Sequence, residues 1–440
     1  MSGVDLTDYH RTSDWSRVRA TVAGFGVTGF AAADNLTHLG ARVTALDDSL
    51  TDAKGEQGRL LEVLGADVRL GEGSTAALPA GTDLLVVSPG WRPDHPLLRQ
   101  AWERGVPVWG EVELAWRLRD PEHPAPWLAV TGTNGKTTTV QMLHAVLSAA
   151  GLRTAAVGNV GRPVVEAVMD PDPYDVLAVE LSSFQLHYTH SLACESAAVL
   201  NVAEDHLDWY SGPHGMADYA ADKGRVYQGV ERACVYNVAD PTTEELVREA
   251  DVVEGARAIG FTLDMPSVGM VGVVDDILAD RAFVEERRTS AAELCTVSDL
   301  ASSAPHYVAN ALAAAALARA HGVPAAAVRA GLSGFRPDGH RIATVAEADG
   351  VTWVDDSKAT NPHAAQSSLA AYDPVVWVAG GLAKGARFDE LVTAVRSRLR
   401  GVVLLGRDRH VIAEALSRHA PDVPVIDVTE GETGDEHRPM

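Results

Sequence analysis

A three-domain α/β architecture is the fold class this sequence predicts, and three observations predict it. Strand-like and helix-like runs alternate along the chain, two glycine loops each close a strand and open a helix, and two proline-containing breaks divide the alternation into thirds. The 440 residues suit roughly three domains of about 150 residues each, and 46% apolar residues can fill their cores.

The elements follow from period and punctuation. "RVRATVAGFG" and "ARVTALDD" read as strands on either side of a helical "TGFAAADNLTHLG", and "DLLVVSPG" adds a strand that ends in a turn. This alternation predicts a parallel sheet. Pro121, Pro124 and Pro126 in "RDPEHPAPW" cannot sustain a helix, so the first domain is expected at residues 1–123. The second, at 124–337, runs from the strand before "VTGTNGKTTTV" through the strands "YDVLAVE" and "SAAVLNV" to the helix "HYVANALAAAALARAHG". Glycine and proline meet again in "SGFRPDGHR", which places the next boundary near Pro337. Residues 338–440 then offer a hairpin-like "IATVAEADGVTWVDDS" and the strands "VVWVAGG" and "VVLLGR", with helices between them.

Charge and cysteine content narrow the function. With 60 acidic against 37 basic residues the formal charge is −23, which argues against a partner recognised through a broad basic face, such as nucleic acid or anionic lipid. An anionic ligand must be gripped locally. The first twenty residues mix charges of both signs, and no stretch approaches the about 18 apolar residues of a membrane span, so a cytoplasmic protein without membrane insertion is expected. Cys194, Cys234 and Cys295 lie far apart without metal-ligand spacing and read as reduced structural thiols.

The first glycine loop, Gly24-Phe25-Gly26-Val27-Thr28-Gly29, fits GxGxxG between a strand and a helix, and Asp47 and Asp48 end the next strand. Backbone amides at a helix N-terminus can bind a diphosphate without net positive charge, and Asp47 can accept from a ribose hydroxyl. The plain alternative is a tight βα turn; the motif alone would next suggest NAD. In the middle loop Gly132, Gly135, Lys136 and Thr137 are the parts of a P-loop, in the variant TGxNGK[ST] rather than strict GxxxxGK[ST], because the position five before Gly135 is Val130. Its amides can cradle ATP phosphates, Lys136 adds a point charge, and the Thr137 hydroxyl can ligate Mg²⁺. Two phosphate loops on two α/β units point to two nucleotides, one of them substrate rather than fuel.

Further candidates cluster at strand ends. "YDVLAVE" ends in Glu180, a Mg²⁺ ligand candidate, with Ser182 just beyond; "NVAEDHLDWY" crowds Glu204, Asp205, His206 and Asp208, of which His206 is the chosen metal ligand against a merely solvated turn. By spacing alone Lys223 reads as an ordinary surface lysine. The third domain adds His340 and Arg341, then Asp356, Ser357, Lys358, Thr360 and Asn361, then Lys384 between glycines. Together these look like a clamp: Lys358 and Arg341 neutralise a transferring phosphoryl group, while Thr360 and Lys384 hold a small carboxylate-bearing acceptor.

"GFGVTG", "SPG", "TGTNGKTT", "GNVG", "ELSSFQL", "NVAEDHLD", "HYVANALAA", "DDSKATN" and "GGLAKG" fall in this order, and in them the sequence resembles the Mur ligases, most closely the branch that adds D-glutamate. The resemblance implies a Rossmann-like first domain, a P-loop ATPase-like second domain with a mostly parallel sheet, and a Rossmann-like third. The first would bind the uridine diphosphate of UDP-N-acetylmuramoyl-L-alanine through Gly26, Val27, Thr28, Asp47, Asp48, Ser88, Pro89 and Gly90, with Asn159 and Ser182 positioning the substrate. ATP would meet Gly132, Thr133, Asn134, Gly135, Lys136, Thr137 and Thr138, and also Asn310, Arg341 and Asp356. Lys223 would be carbamylated by CO₂ and would join Thr137, Glu180 and His206 in holding Mg²⁺, with two ions expected. The third domain would bind D-glutamate through Thr360 and Lys384 and close over ATP.

The implied catalytic set is Lys136, His206, Lys223 and Lys358, in an ATP-dependent ligase of peptidoglycan precursor synthesis that works as a monomer. Carbamylation needs a neutral amine, whereas an unperturbed lysine has a pKa of about 10.4, so burial or nearby cations are expected at Lys223. Two departures stand out. Tyr307 occupies a position where many relatives have asparagine, and the chain stops at "VIDVTEGETGDEHRPM" where the family continues through a strand and a serine- and phenylalanine-containing loop. A third domain truncated there is expected to expose a sheet edge and to weaken D-glutamate binding. Folylpolyglutamate synthase shares the central loop but not the preceding GxGxxG domain; a non-catalytic sensor of UDP-sugar or ATP would not need Lys136, Glu180, His206 and Lys358 together.

Overall fold

The computed structural model describes residues 4–211, 214–337, 343–383 and 385–428. They form two compact units, one running to Val202 and resuming at Tyr219–Phe335, the other combining Ala203–Asp218 with the chain from Arg336 onward.

The first unit contains two sheets. Strands β1 (Arg19–Ala23), β2 (Arg42–Asp47), β3 (Asp67–Leu70), β4 (Leu84–Val87) and β5 (Val108–Gly110) pair in the order β3-β2-β1-β4-β5, every pair parallel. Helices α1 (Val27–His38), α2 (Asp52–Val63), α3 (Pro96–Glu103) and α4 (Glu111–Arg117) connect and flank them. Buried on both faces, β4 is apolar at every position, as a covered parallel strand must be. From β1 the chain winds outward to β3 and then crosses back to β4. That reversal sets the loops after β1 and β4, Gly24–Gly29 and Ser88–Gly90, side by side at the carboxyl edge, the place where open α/β sheets take ligands. Close packing there depends on Gly29: a Cβ at that position would stand 1.8 Å from the Gly24 carbonyl oxygen.

The second sheet comprises β6 (Trp127–Thr131), β7 (Thr154–Gly158), β8 (Val176–Glu180), β9 (Ser196–Val199), β10 (Ala233–Asn237), β11 (Arg257–Phe261), β12 (Met270–Val274), β13 (Ile277–Asp280) and β14 (Ala292–Thr296). Their order is β14-β13-β12-β11-β10-β9-β6-β8-β7, parallel except for the last two, which add an antiparallel edge. That edge is not anticipated from the sequence; its first turn passes through Asp275 with φ 56°. Strand β6 lies inside the sheet between β9 and β8, fully buried, and its loop opens α5 (Lys136–Ala149). Shorter helices α6 (Val164–Val168), α7 (Ser183–His187), α8 (Gly215–Gly224) and α9 (Pro241–Arg248) follow, and α10 (Pro305–His321) and α11 (Ala325–Gly334) pack on α5. Helix α10 is rich in alanine and buried along most of its length, so it has no polar stripe. At Gly331, α11 touches α5 so closely that a Cβ would meet the Val146 Cα at 2.4 Å.

Helix α4 fastens the two sheets together. Glu113 accepts from the amides of His190 (2.8 Å) and Ser191 (3.0 Å), the Ser191 hydroxyl (2.7 Å) and Arg117 Nε (2.7 Å). Burial opposes its charge, but these donors outweigh burial and hold its pKa below the usual carboxylate value. Glu111 is buried with one amide donor, Val165 N at 2.6 Å, and burial pushes its pKa up to about 7.

In the second unit β15 (Ala343–Ala348) and β16 (Val351–Asp355) form the expected hairpin, and β17 (Val375–Gly380), β18 (Leu399–Leu405) and β19 (Val425–Asp427) a parallel sheet. Helices α12 (Pro362–Leu369), α13 (Asp389–Val395) and α14 (Arg409–His419) complete it. Trp377, Ala379, Val402 and Leu404 meet Leu391, Val392, Ile412 and Leu416 in its core, whereas Val376, Val378 and Ile426 are exposed. Among the described residues no helix is long and apolar enough to cross a membrane. All three cysteines are buried and unpaired; burial pushes the thiols of Cys234 and Cys295 up to about 12 and that of Cys194 higher still, which suits inert structural thiols.

Candidate active site

The middle loop leaves β6 through Gly132 (φ 153°) and enters α5 through Gly135 (φ 84°), backbone conformations that favour glycine. A side chain at Gly135 would also collide with Asn310, whose Oδ1 would stand 2.4 Å from its Cβ. Asn310 is therefore seated against the loop, where the resemblance expects it to meet ATP. The loop's shape is held by Asn201, just past β9: its carbonyl accepts from Thr133 N (2.9 Å), its Oδ1 from Asn134 N (2.8 Å), and its Nδ2 donates to the Asn134 carbonyl (3.1 Å). Sequence reading passed over Asn201; the available signal was a lone amide ending an otherwise apolar central strand. Lys136 lies across the concavity, donating to the carbonyls of Gly132 and Thr133, both at 2.9 Å. Thr137 and Thr138 follow in the first turn of α5, whose amides and dipole face the loop.

A second lysine converges on the same loop. Lys223, 1% exposed on α8, donates to the Gly132 carbonyl at 2.9 Å and lies 4.3 Å from the Tyr219 ring; the Tyr219 hydroxyl is 3.1 Å from Thr133 Oγ1. The surface-lysine reading of its spacing is thus wrong, because tertiary packing carries it 91 residues back to the loop. Its neighbour Asp222 points elsewhere, to His187 Nδ1 (2.8 Å) and Arg225 Nε (3.1 Å).

Glu180 ends β8, the strand beside β6, and is 1% exposed. Its carbonyl accepts from Asn159 N (2.9 Å) and its Oε1 from Asn159 Nδ2 (2.8 Å), a two-point grip that depends on Gly158, where a Cβ would lie 2.3 Å from the Glu180 carbonyl oxygen. Oε2 is buried without a hydrogen-bond partner among the described residues. Buried carboxylate oxygens rarely stay unpaired, so the atom suits a cation. No group of three or more His, Cys, Asp and Glu side chains is gathered among the described residues, so any ion there would draw on hydroxyl, carbamate or phosphate oxygens as well. Ser182 caps α7 in a capping box with Gln185, its hydroxyl 3.2 Å from Gln185 N and 3.1 Å from Oε1.

At the first glycine loop, Gly26 caps α1 with open space around it and Val27 is 70% exposed, leaving the helix N-terminus approachable at Gly26, Val27 and Thr28. Asp47 is already busy: Oδ2 accepts from Phe25 N (2.6 Å) and Lys54 Nζ (2.7 Å), Oδ1 from Ser49 N and Oγ (both 2.8 Å). Burial resists its ionisation, but Lys54, Phe25 and Ser49 prevail and draw the carboxyl down to about 2. Asp48 accepts from Thr75 N (2.9 Å) and Oγ1 (2.5 Å), and the hydroxyl holds its pKa below the usual value. Asp47 is engaged with the loop and Asp48 with Thr75, so a ribose would meet only their remaining lone pairs. Ser88 Oγ donates to the Gly24 carbonyl (2.9 Å), and Pro89 and Gly90 (φ 93°) turn the chain beside it.

In the second unit, His206 adopts φ 55°, and its amide donates to Asp205 Oδ1 at 2.9 Å. Asp356, Lys358 and Thr360 line the turn between β16 and α12, where Ala359 N donates to the Asp356 carbonyl (2.8 Å) and Thr360 N to that of Lys358 (3.0 Å); Lys358 and Thr360 are exposed. Arg341 and Lys384 lie outside the described residues.

Comparison with known proteins covers nearly the whole chain. Residues 18–110 match the model of the Mur ligase MurD-like N-terminal domain, 130–318 that of the Mur ligase middle domain, and 340–433 that of the Mur ligase glutamate ligase domain. The UDP-N-acetylmuramoylalanine–D-glutamate ligase of Streptomyces avermitilis is 62% identical over 422 residues, 96% of this chain and 89% of its own length. That of Thermobifida fusca is 56% identical over 418 residues, 94% and 88%. Among solved structures, a pseudomurein peptide ligase type C from Methanothermus fervidus matches with TM-score 0.55 at 16% identity over 96% of this chain and 91% of that one. The UDP-N-acetylmuramate-alanine ligase MurC of Thermotoga maritima matches with TM-score 0.54 at 18% identity over 93% and 90%. These two likenesses concern the fold alone.

Proposed function

The chain belongs to the Mur ligase family, and from that premise we propose that it is an ATP-dependent ligase joining D-glutamate to UDP-N-acetylmuramoyl-L-alanine in peptidoglycan precursor synthesis. The observation that carries this reading is the phosphate loop onto whose Gly132 carbonyl two lysines, Lys136 and Lys223, converge. Residues 1–123 hold the uridine diphosphate, 124–337 bind ATP, and 338–440 bind D-glutamate and close over the nucleotide. The protein works as a monomer in the cytoplasm.

The substrate's L-alanyl carboxylate attacks the γ-phosphorus of ATP, and ADP leaves. The amine of D-glutamate then attacks the acyl carbon, and phosphate departs as the amide forms. Reactants so rich in negative charge repel one another, and the chain's groups must offset that repulsion in a water-poor cleft. Lys136 exchanges the loop carbonyls for the outer phosphates, while Gly132, Thr133, Asn134, Gly135, Thr137 and Thr138 cradle them through backbone amides. Asn310, Asp356 and Arg341 complete the nucleotide contacts. Lys358 faces the transferring phosphoryl group; Thr360 and Lys384 hold the D-glutamate carboxylates. Asn159 and Ser182 position the sugar-nucleotide, whose diphosphate meets Gly26, Val27 and Thr28, flanked by Asp47, Asp48, Ser88, Pro89 and Gly90.

The unpartnered Glu180 Oε2 suits Mg²⁺, for which Thr137, His206 and Lys223 as its carbamate would be the other protein ligands, two ions in all. When bound, Mg²⁺ supplies charge neutralisation at the phosphoryl oxygens. Burial of Lys223 supports the carbamate, since the modification needs a neutral amine shielded from water.

Phosphate release is expected only when ATP, UDP-N-acetylmuramoyl-L-alanine and D-glutamate are all present. Release that ignores D-glutamate, or accepts another amino acid equally well, would overturn the assignment. With ¹³C-bicarbonate, a carbamate resonance is expected that disappears in Lys223→Met; its persistence in that variant would remove Lys223 from the metal site.

A further inference from the structure

The loop carrying His206 is part of the second unit, and one side chain of that unit grips it. Asn361, 7% exposed at the N-terminus of α12, uses its two side-chain atoms for two tasks. Its Oδ1 accepts from Ala364 N at 2.9 Å and so caps the helix; its Nδ2 donates to Asp205 Oδ2 at 3.2 Å, across 156 positions of sequence. Asp205, its side chain 9% exposed, carries the grip onward: Oδ1 takes the His206 amide at 2.9 Å, and Oδ2 stands 3.7 Å from His206 Nε2. His206 itself has φ 55°, a left-handed conformation uncommon outside glycine, though histidine adopts it more readily than most residues.

We propose that Asn361 is a positioning residue which, through Asp205, holds His206 in its cation-binding conformation. The inference rests on the reading of His206 as a Mg²⁺ ligand. By taking the His206 amide, the Asp205 carboxylate fixes the backbone from which the imidazole projects, with the ring itself 3.7 Å away and outside hydrogen-bond range, and the Asn361 amide in turn fixes the carboxylate. A cap alone would need only Oδ1; a serine cap would serve equally, without the second reach. The half-buried Nδ2 contact to an acidic loop far away in sequence is what a tether requires.

Substitutions in the full-length chain separate cap from tether. Asn361→Ser keeps a capping oxygen and loses the donor; Asn361→Ala loses both; Asn361→Asp keeps the cap and sets a second carboxylate against Asp205. For Asn361→Ser the melting temperature should stay at the wild-type value, while amide hydrogen exchange over residues 203–211 quickens at least fivefold in the ligand-free protein. Its Mn²⁺ dissociation constant, read by electron paramagnetic resonance with a non-hydrolysable ATP analogue bound, should rise about tenfold, the scale of outer-shell losses. Asn361→Asp should lose more Mn²⁺ affinity than Asn361→Ser, and only Asn361→Ala should also melt earlier. Wild-type exchange over 203–211 in Asn361→Ser, or wild-type Mn²⁺ affinity there alongside a His206→Ala control that weakens binding, would overturn the proposal. If His206→Ala itself leaves Mn²⁺ affinity unchanged, the ligand reading of His206 fails, and the exchange result alone still decides whether Asn361 holds the loop.

Discussion

Replacing Glu111 by glutamine should make this protein more stable at neutral pH and change little in acid. Glu111 is fully buried between α4 and α6, with Val165 N on one oxygen and no hydrogen-bond partner on the other among the described residues. Burial, with a further push from Glu166, raises its carboxyl from 4.5 to about 7. Below about pH 4.5 both folded and unfolded chains hold this proton, and the group exerts no pH-dependent effect. Between about 4.5 and 7 the unfolded chain ionises while the folded one does not, so stability falls as pH rises, and above 7 the loss is complete. A rise from 4.5 to about 7, at about 1.36 kcal/mol per pH unit, sets that loss at about 3 kcal/mol, an upper figure because partial opening would hydrate the charge. Glu111→Gln removes the ionisation but keeps an oxygen for Val165 N. Urea unfolding, followed through Trp109 and Trp116 on the adjoining elements, should show the variant about 1–3 kcal/mol more stable than wild type at pH 8 and within about 1 kcal/mol at pH 4.5. A stability difference that is the same at both pH values would refute the reasoning.

Other consequences are equally local. Gly135→Ala drives a methyl into Asn310 and strains a left-handed backbone, so ATP affinity measured by calorimetry should fall at least about tenfold with little change in melting temperature; unaltered affinity would contradict the loop geometry. Asn201→Ala deletes two side-chain hydrogen bonds to Asn134, each worth about 1 kcal/mol, and should raise the KM for ATP roughly 10- to 30-fold while sparing that for the UDP substrate. Equal effects on both KM values would mean the loop is not what Asn201 holds. Gly29→Ala forces α1 away from the Gly24 carbonyl and should weaken UDP-substrate binding far more than ATP binding, a ranking that calorimetry with each ligand checks.

Much of this was legible in the residues themselves. The strand–glycine loop–helix units at β1–α1 and β6–α5, the buried alanine helix α10 and the hairpin β15–β16 stand where their patterns put them, because each depends on neighbours within a few turns of chain. The antiparallel edge β12–β14 went unread, and so did the roles of Glu111 and Glu113, which look like ordinary surface acids of a short helix until α4 is packed against residues 164–165 and 190–191.

What the sequence determined by itself was the chemistry on offer: two phosphate loops, their lysine and threonines, a carboxylate at a strand end, and the ordered motifs of a ligase family. Only the tertiary structure decided which of these groups meet. Sheet order sets Glu180 beside the β6 loop, and helix packing buries Lys223 against a carbonyl 91 residues away. Asn201, passed over in the sequence, and Asn361, read there only as part of a substrate clamp, each grip a loop. The physical reason is range: backbone propensity and turn chemistry act over a few residues, whereas the burial that strips water from Lys223 and Glu180 comes from strands and helices distant in the chain, and exists only once they have packed.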